Sequence, residues 1–153
     1  MRLASLDVDT VRYVAANMRE WDRREIGATS WTDDPEELVG KCMACPGYAW
    51  VAGLDRPIVV IGGVPMWPGV WSMFMFATNE ISNIGLGLTK FVARRMIPGL
   101  LDQGAHRLEA RSMDGHVDAQ SWLETFGAAR EATLYGYGRG GEDFHVYVVR
   151  RHV

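Results

Sequence analysis

Between an apolar stretch, Val70-Trp71-Ser72-Met73-Phe74-Met75-Phe76-Ala77, and an amphipathic helical pattern stands the hexapeptide Ser82-Asn83-Ile84-Gly85-Leu86-Gly87. Two glycines at the start of a helix leave its first backbone N–H groups open, because no Cβ stands between them and an approaching oxyanion. The helix dipole adds to that attraction, so a turn of this kind suits a phosphate. Asn83, Ile84, Gly85, Leu86, Gly87 and Leu88 are therefore the candidate anion cradle. The same residues also describe a glycine-rich turn that does no more than open a helix. The setting favours the cradle: a strand precedes it, and a short strand (Arg107 to Ser112), a second helix and Gly127 follow.

Groups that could move a proton or hold a metal are few. Of His106, His116, His145 and His152, no two have the spacing of a helix-borne metal pair. Cys42 and Cys45 form Cys-Met-Ala-Cys, but neither a second ligand pair nor a strand–helix redox context accompanies them. They read as small apolar residues at a helix end, and no metal is expected. A base that deprotonates an amine works best when it titrates near neutrality, which makes histidine the natural choice. Asp114 and His116 sit in the loop after the Arg107–Ser112 strand, and Glu80 is a third candidate. Asp114-Gly115 is also ordinary turn chemistry, and Glu80 is equally a solvated loop carboxylate.

The elements that must position these residues alternate. Arg2 to Leu6 can form a first strand. Asp7 or Asp9 then caps a helix with Val11, Val14, Ala15 and Met18 on one stripe, running to about Glu25 through a charged, solvated segment. Asp33-Asp34-Pro35-Glu36-Glu37 opens a second helix that ends before Pro46-Gly47. Strands are predicted over Tyr48–Leu54, Ile58–Val64 and Val70–Ala77, the middle one apolar enough to be buried on both faces. Pro65 to Gly69 reads as a turn. The helix after Gly87 carries Leu88, Phe91, Val92 and Met96 inward, is kinked by Pro98 and ends at Gly104. A fourth helix presents Ala119, Trp122, Leu123 and Phe126, and strands near Glu131–Tyr135 and Phe144–Val149 close the chain. Periodicity alone gives a mixed sheet covered by helices on both faces.

With 153 residues, 48% hydrophobic and 23% charged, the chain reads as one globular domain over residues 1–153. A net charge of −3 speaks against a nucleic-acid binder, which would carry a basic stripe. No apolar run reaches the roughly 18 residues of a membrane span. The N-terminus lacks a signal-peptide apolar segment, so no membrane partner is expected and the cytoplasm is the default.

Taken together, the strand, glycine turn, helix, strand, helix and Gly127 resemble the core of the GNAT superfamily of N-acyltransferases. Its phosphate motif, Gln/Arg-x-x-Gly-x-Gly/Ala, falls on Ser82 to Gly87, with Ser82 in the place of the long polar residue. Its second motif falls on His116 to Ala128: Ala119 and Gly127 match, while His116 replaces Asn, Leu123 replaces Tyr and Ala128 replaces Phe. The resemblance implies a mixed, mostly antiparallel sheet of about seven strands with four helices, in the order β-α-α-β-β-β-α-β-α-β-β. It implies acetyl-CoA or another acyl-CoA as cosubstrate, its pyrophosphate on Asn83 to Leu88 and its pantetheine arm on the backbone of Met75, Phe76 and Ala77. It also implies transfer to a primary amine of a small molecule or protein, with His116 or Asp114 as base. The Tyr that usually protonates the departing thiolate is Leu123 here, which leaves the role to water, to Tyr135, Tyr137 or Tyr147, or to nothing. The segments Asp9 to Glu25, Ser121 to Ala128 and Gly141 to Tyr147 further resemble small GNAT-like proteins of tailed phages, some of them internal virion or morphogenesis proteins. That resemblance implies an alternative in which the fold serves assembly, and leaves a homodimer or phage structural partners open. The partner surface would then be Pro65 to Gly69 and the Trp21/Trp31 region.

Overall fold

The computed structural model describes residues 1–44 and 48–151. Seven strands form one sheet in the order β1-β2-β3-β4-β5-β7-β6, with β1 Arg2–Ser5, β2 Tyr48–Gly53, β3 Pro57–Trp67, β4 Val70–Ala77, β5 Arg107–Met113, β6 Ala129–Leu134 and β7 Phe144–Arg150. All neighbours run antiparallel except β4 and β5. Helices α1 (Val8–Ala16) and α3 (Pro35–Ala44) cover one face over Val51, Val60 and Phe76. On the other face lie α4 (Gly85–Phe91), α5 (Ile97–Asp102) and α6 (Val117–Glu124), packed on Val59, Ile61, Trp71 and Leu108. As the apolar run predicts, β3 is buried on both faces from Ile58 to Ile61.

The expected single helix to Glu25 is instead two, and the expected four helices become five helical bodies among the described residues. Asn17 caps α1, its side-chain amide donating to the Tyr13 carbonyl at 2.8 Å. Met18 then bridges Thr78, and the Arg19 N–H donates to the Ala77 carbonyl at 2.8 Å. Only after this contact with β4 does α2 (Glu20–Ala28) begin. Sheet pairing thus interrupts a stripe that Met18 would otherwise continue.

The turn expected at Pro65 is placed differently. Pro65 and Trp67 belong to β3, with an irregularity in register between them, so the hairpin turn is narrower than Pro65 to Gly69. Upstream of Pro98 the helix widens by one residue per turn over Val92–Met96, with the Ile97 N–H reaching back to the Val92 carbonyl. The predicted stop at Pro46-Gly47 and the Cys45 half of the cysteine pair lie outside the described residues. Cys42, on α3, is buried. No described helix is long and apolar enough to cross a membrane, and no described group of His, Cys, Asp and Glu could hold a metal ion.

The outermost pairing, β6 on β7, is pinned by charge. Glu131, where the β6 register shifts, accepts from Arg107 at 2.7 and 2.9 Å and also from Arg150. These arginines hold its carboxyl down at about 2, from an ordinary 4.5, with the Arg107 hydrogen bonds the largest cause. A depressed folded-state value stabilises the fold above the unfolded value and loses that contribution as pH falls from 4.5 toward 2. Glu131→Gln should therefore flatten the loss of thermal stability over that interval. A melting-temperature series in acid, wild type against variant, checks this.

Candidate functional site

Parallel pairing of β4 with β5 covers three registers, Val70↔Arg107, Trp71↔Leu108 and Ser72↔Glu109, and then stops. Beyond Ser72 the strands splay. The splay is maintained from α2, whose Asp22 is 4% exposed and accepts the Ala77 N–H at 2.8 Å. Arg19 backs that carboxylate, with Nε 2.9 Å from Oδ2. Ala77 therefore has both backbone groups committed within the protein. Residues two apart on a strand share an edge, so Met75 directs its N–H and C=O toward the same gap, where no strand pairs with it. Phe76 faces the opposite way, its side chain 1% exposed beneath α1 and α3.

The gap opens on both faces of the sheet. On the α6 face a cleft of about 100 Å³ is bordered by Met75, Met96, Ser112, His116, Trp122 and Leu123. On the α2 face a chamber of about 340 Å³ is bordered by Thr29, Leu38, Lys41, Tyr137 and Phe144. Asp22, Glu25, Met73, Phe74, Met75 and Arg111 border both, so the same side chains wall the two spaces.

His116 borders the cleft. The turn that delivers it, closed by the His116 N–H on the Met113 carbonyl at 3.1 Å, needs Gly115 at φ +88°. A Cβ at Gly115 would also come within 3.1 Å of the Trp21 ring. The imidazole is 4% exposed and stacks on Trp21 with ring centroids 5.1 Å apart. Its Nδ1 bonds Glu25 Oε2. A carboxylate accepts only, so Nδ1 carries the proton and Nε2 is left as the basic nitrogen.

Asp114, adjacent in sequence, goes elsewhere. Its Oδ1 accepts from His145 Nε2 at 2.8 Å, and His145 Nδ1 lies 3.1 Å from Thr133 Oγ1. Asp114 borders neither space. Glu80 is paired with Arg56 at 2.8 Å on the surface. The structure thus brings His116 together with Met75, and separates both from Asp114 and Glu80. Glu25 and Asp22, read from sequence as part of a solvated charged segment, are the functional candidates that reading missed. Their i, i+3 spacing on one helix face was the available signal.

At the glycine turn, a short tight turn over Asn79–Asn83 leads into α4. The Leu88 N–H bonds the Ile84 carbonyl, which leaves the first-turn N–H groups of Gly85, Leu86 and Gly87 without intrahelical acceptors. Ile84 and Leu88 put their side chains in the core, while Asn83 and Leu86 are exposed. A Cβ at Gly85 would meet nothing within 4 Å, and one at Gly87 only Met1 at 3.6 Å. The space before these amides is open, as a bound anion requires. Trp122 links this helix to α6, its Nε1–H donating to Thr89 Oγ1 at 2.9 Å.

Leu123 borders the cleft on α6 and offers no proton. Tyr137 borders the opposite chamber, Tyr135 is 83% exposed, and Tyr147 is buried in the sheet with its hydroxyl pushed up by that burial. The hydroxyl that does border the cleft belongs to Ser112, whose Oγ is buried without a hydrogen-bond partner. Of the tryptophans considered as a partner surface, Trp21 is turned inward onto His116, whereas Trp31 and Trp67 are 90% and 57% exposed.

No family model and no curated protein sequence matches this chain. Solved structures do. Ard1 from Thermoplasma volcanium superposes with a TM-score of 0.75 at 11% identity, over 99% of this chain and 98% of that one. The ribosomal-protein-alanine N-acetyltransferase of Brucella melitensis gives 0.73 at 13% identity, over 99% and 100%. An acetyltransferase (GNAT family) from Bacillus anthracis gives 0.72 at 15% identity, over 97% and 93%. The chain has the GNAT fold.

Replacing Asp22 by alanine would leave the Ala77 N–H without its acceptor and the Arg19 guanidinium without its ion-pair partner. We expect Asp22→Ala to lose about 2–3 kcal/mol in urea unfolding. Asp22→Asn, which keeps an acceptor for Ala77, should lose less.

Proposed function

We propose that this protein is an N-acyltransferase that uses acetyl-CoA, or another acyl-CoA, to acylate a primary amine. The observation that carries this reading is the splay between β4 and β5, open on both faces, with the His116–Glu25 pair at its rim. The coenzyme supplies the acyl group as an activated thioester. The free amides of Gly85, Leu86 and Gly87 would hold its pyrophosphate, and the unpaired backbone edge at Met75 would hold the pantetheine in the manner of an added strand. Open space before both glycines and an unoccupied strand edge fit that group.

The chain's own residues then have distinct tasks. Glu25 fixes the imidazole tautomer, and His116 Nε2 takes the proton from the attacking amine. Trp21 holds the ring in plane by stacking and excludes water from one side of it. Ser112 offers a buried hydroxyl as hydrogen-bond donor where Leu123 has none to give. Asp114 has no part at the reacting atoms and orients His145.

Calorimetric titration with acetyl-CoA tests the reading directly. Wild type should bind. Gly87→Trp, which fills the open space without a backbone clash, should bind at least about tenfold more weakly at unchanged melting temperature. No binding at millimolar acetyl-CoA would overturn the proposal.

With a competent amine, His116→Ala should lower kcat by about a hundredfold or more. Glu25→Gln should act through the same step, so the double variant should be little worse than His116→Ala alone. Unchanged turnover in the double variant would remove this pair from the chemistry.

A second reading, a non-catalytic phage morphogenesis protein, draws on Ser82 and Leu123 in the motif positions and on the exposed rings of Trp31 and Trp67. It forecasts the reverse result for Gly87→Trp, full retention of function by a folded variant.

A further inference from the structure

Arg111 brings a guanidinium with an unpartnered donor, Nε, to the chamber on the α2 face. A chain of contacts runs Arg150–Glu131–Arg107–Glu109–Arg111, three guanidinium groups against two carboxylates. Glu131 is taken up by Arg150 and Arg107. Glu109, 8% exposed, accepts from Arg107 Nε at 2.7 Å and only distantly from Arg111 Nη2, at 3.3 Å. The surplus charge therefore falls to the two ends. At Arg150 it lies in water, the side chain being 62% exposed. At Arg111 it lies between the strands, with Nε buried and without a partner, and with the guanidinium 5.9 Å from the centre of the Tyr137 ring.

A guanidinium has five donors in a fixed fork, and a buried donor such as this Nε is costly without an acceptor. Lys41 adds a second cation to the same chamber, held by Glu37 at 3.6 Å. The opposite wall is of the other sign. Asp22 and Glu25, from α2, border the same opening; His116 borders the adjoining cleft, where Arg111, Asp22 and Glu25 also stand. A ligand that satisfies both walls has an ammonium at one end and a planar anion within a short reach of it.

We propose that the acceptor is a free amino acid, its carboxylate held by Arg111 and its amine presented to His116. This rests on the transferase reading above and narrows its acceptor to one chemical class. A carboxylate matches the guanidinium fork in two parallel hydrogen bonds. Arg111 and His116 both border the cleft of about 100 Å³, and Arg111 also borders the chamber of about 340 Å³, so only a small acceptor spans the two groups. A diamine would set its second cation against Arg111 and Lys41. A peptide amino terminus has a neutral amide where the carboxylate is needed, and would leave Arg111 unanswered.

The test is calorimetry on the full chain, with and without saturating CoA, whose free thiol allows binding but no transfer. Each of a panel of free amino acids is titrated beside its own carboxamide, and 1,4-diaminobutane is titrated as the diamine. At least one amino acid should bind wild type roughly tenfold or more tighter than its carboxamide. Arg111→Gln should erase that difference, and Arg111→Lys should keep part of it. The acid–amide comparison on wild type stands even if a variant does not fold. Equal binding of acid and carboxamide, tighter binding of the diamine, or no amino acid binding to a protein that does bind CoA would each overturn the proposal. An acid-over-amide preference in a protein that fails to bind CoA would instead strike the transferase reading and leave the chamber's preference standing.

Discussion

A single buried carboxylate governs the centre of this molecule. Two parallel strands that begin in register tend to continue so, because each unpaired N–H and C=O along their facing edges seeks a partner. Asp22 and Arg19 take up the groups of Ala77 from a helix, which removes the last reason for β4 to follow β5. The strands part after Ser72, and what would have been solid sheet becomes an opening. The position of α2 depends on the same contacts, since Arg19 immediately precedes its first turn. Trp21 and Glu25, carried on that helix, in turn fix the imidazole of His116. Strand divergence, helix placement and ring orientation are thus one linked arrangement.

Much of the fold was legible in the sequence because its boundaries are marked locally. Glycine and proline punctuate the β3–β4 hairpin, Gly127 at φ +79° stops α6, and the apolar run of β3 announces burial on both faces. The break at Asn17 was not legible. Val11, Val14, Ala15 and Met18 keep helical spacing straight through it, and only the meeting of Met18 with Thr78, far along the chain, interrupts the helix. The same long-range dependence hid Asp22 and Glu25. A charged segment following an amphipathic helix has no local mark separating a solvated carboxylate from one that reaches a strand 55 residues away.

His116 and Asp114 illustrate how far spacing alone reaches. Both flank Gly115, and both are polar residues delivered by one turn. The turn sends them to opposite partners: the imidazole to Glu25 on α2, the carboxylate to His145 on β7. Which neighbour entered the opening was decided by the handedness of the turn and by the stacking surface of Trp21, neither of which a sequence displays. The departures at Ser82 and Leu123, in contrast, were plain in the sequence, and the structure gives them a physical counterpart. Leu123 lines the cleft with an apolar wall, and the buried hydroxyl beside it comes from Ser112 on the facing strand.

An opening that passes through a sheet has two mouths and one narrow waist. Two molecules entering from opposite faces meet at the waist with their far ends still in solvent, and neither has to withdraw before the other arrives. A pocket with a single mouth would impose succession, one occupant leaving before the next, and would need the protein to store whatever passes between them. Here each face has its own space, and any guest on either side would meet the same side chains, Asp22, Glu25, Met73, Phe74, Met75 and Arg111, that belong to both.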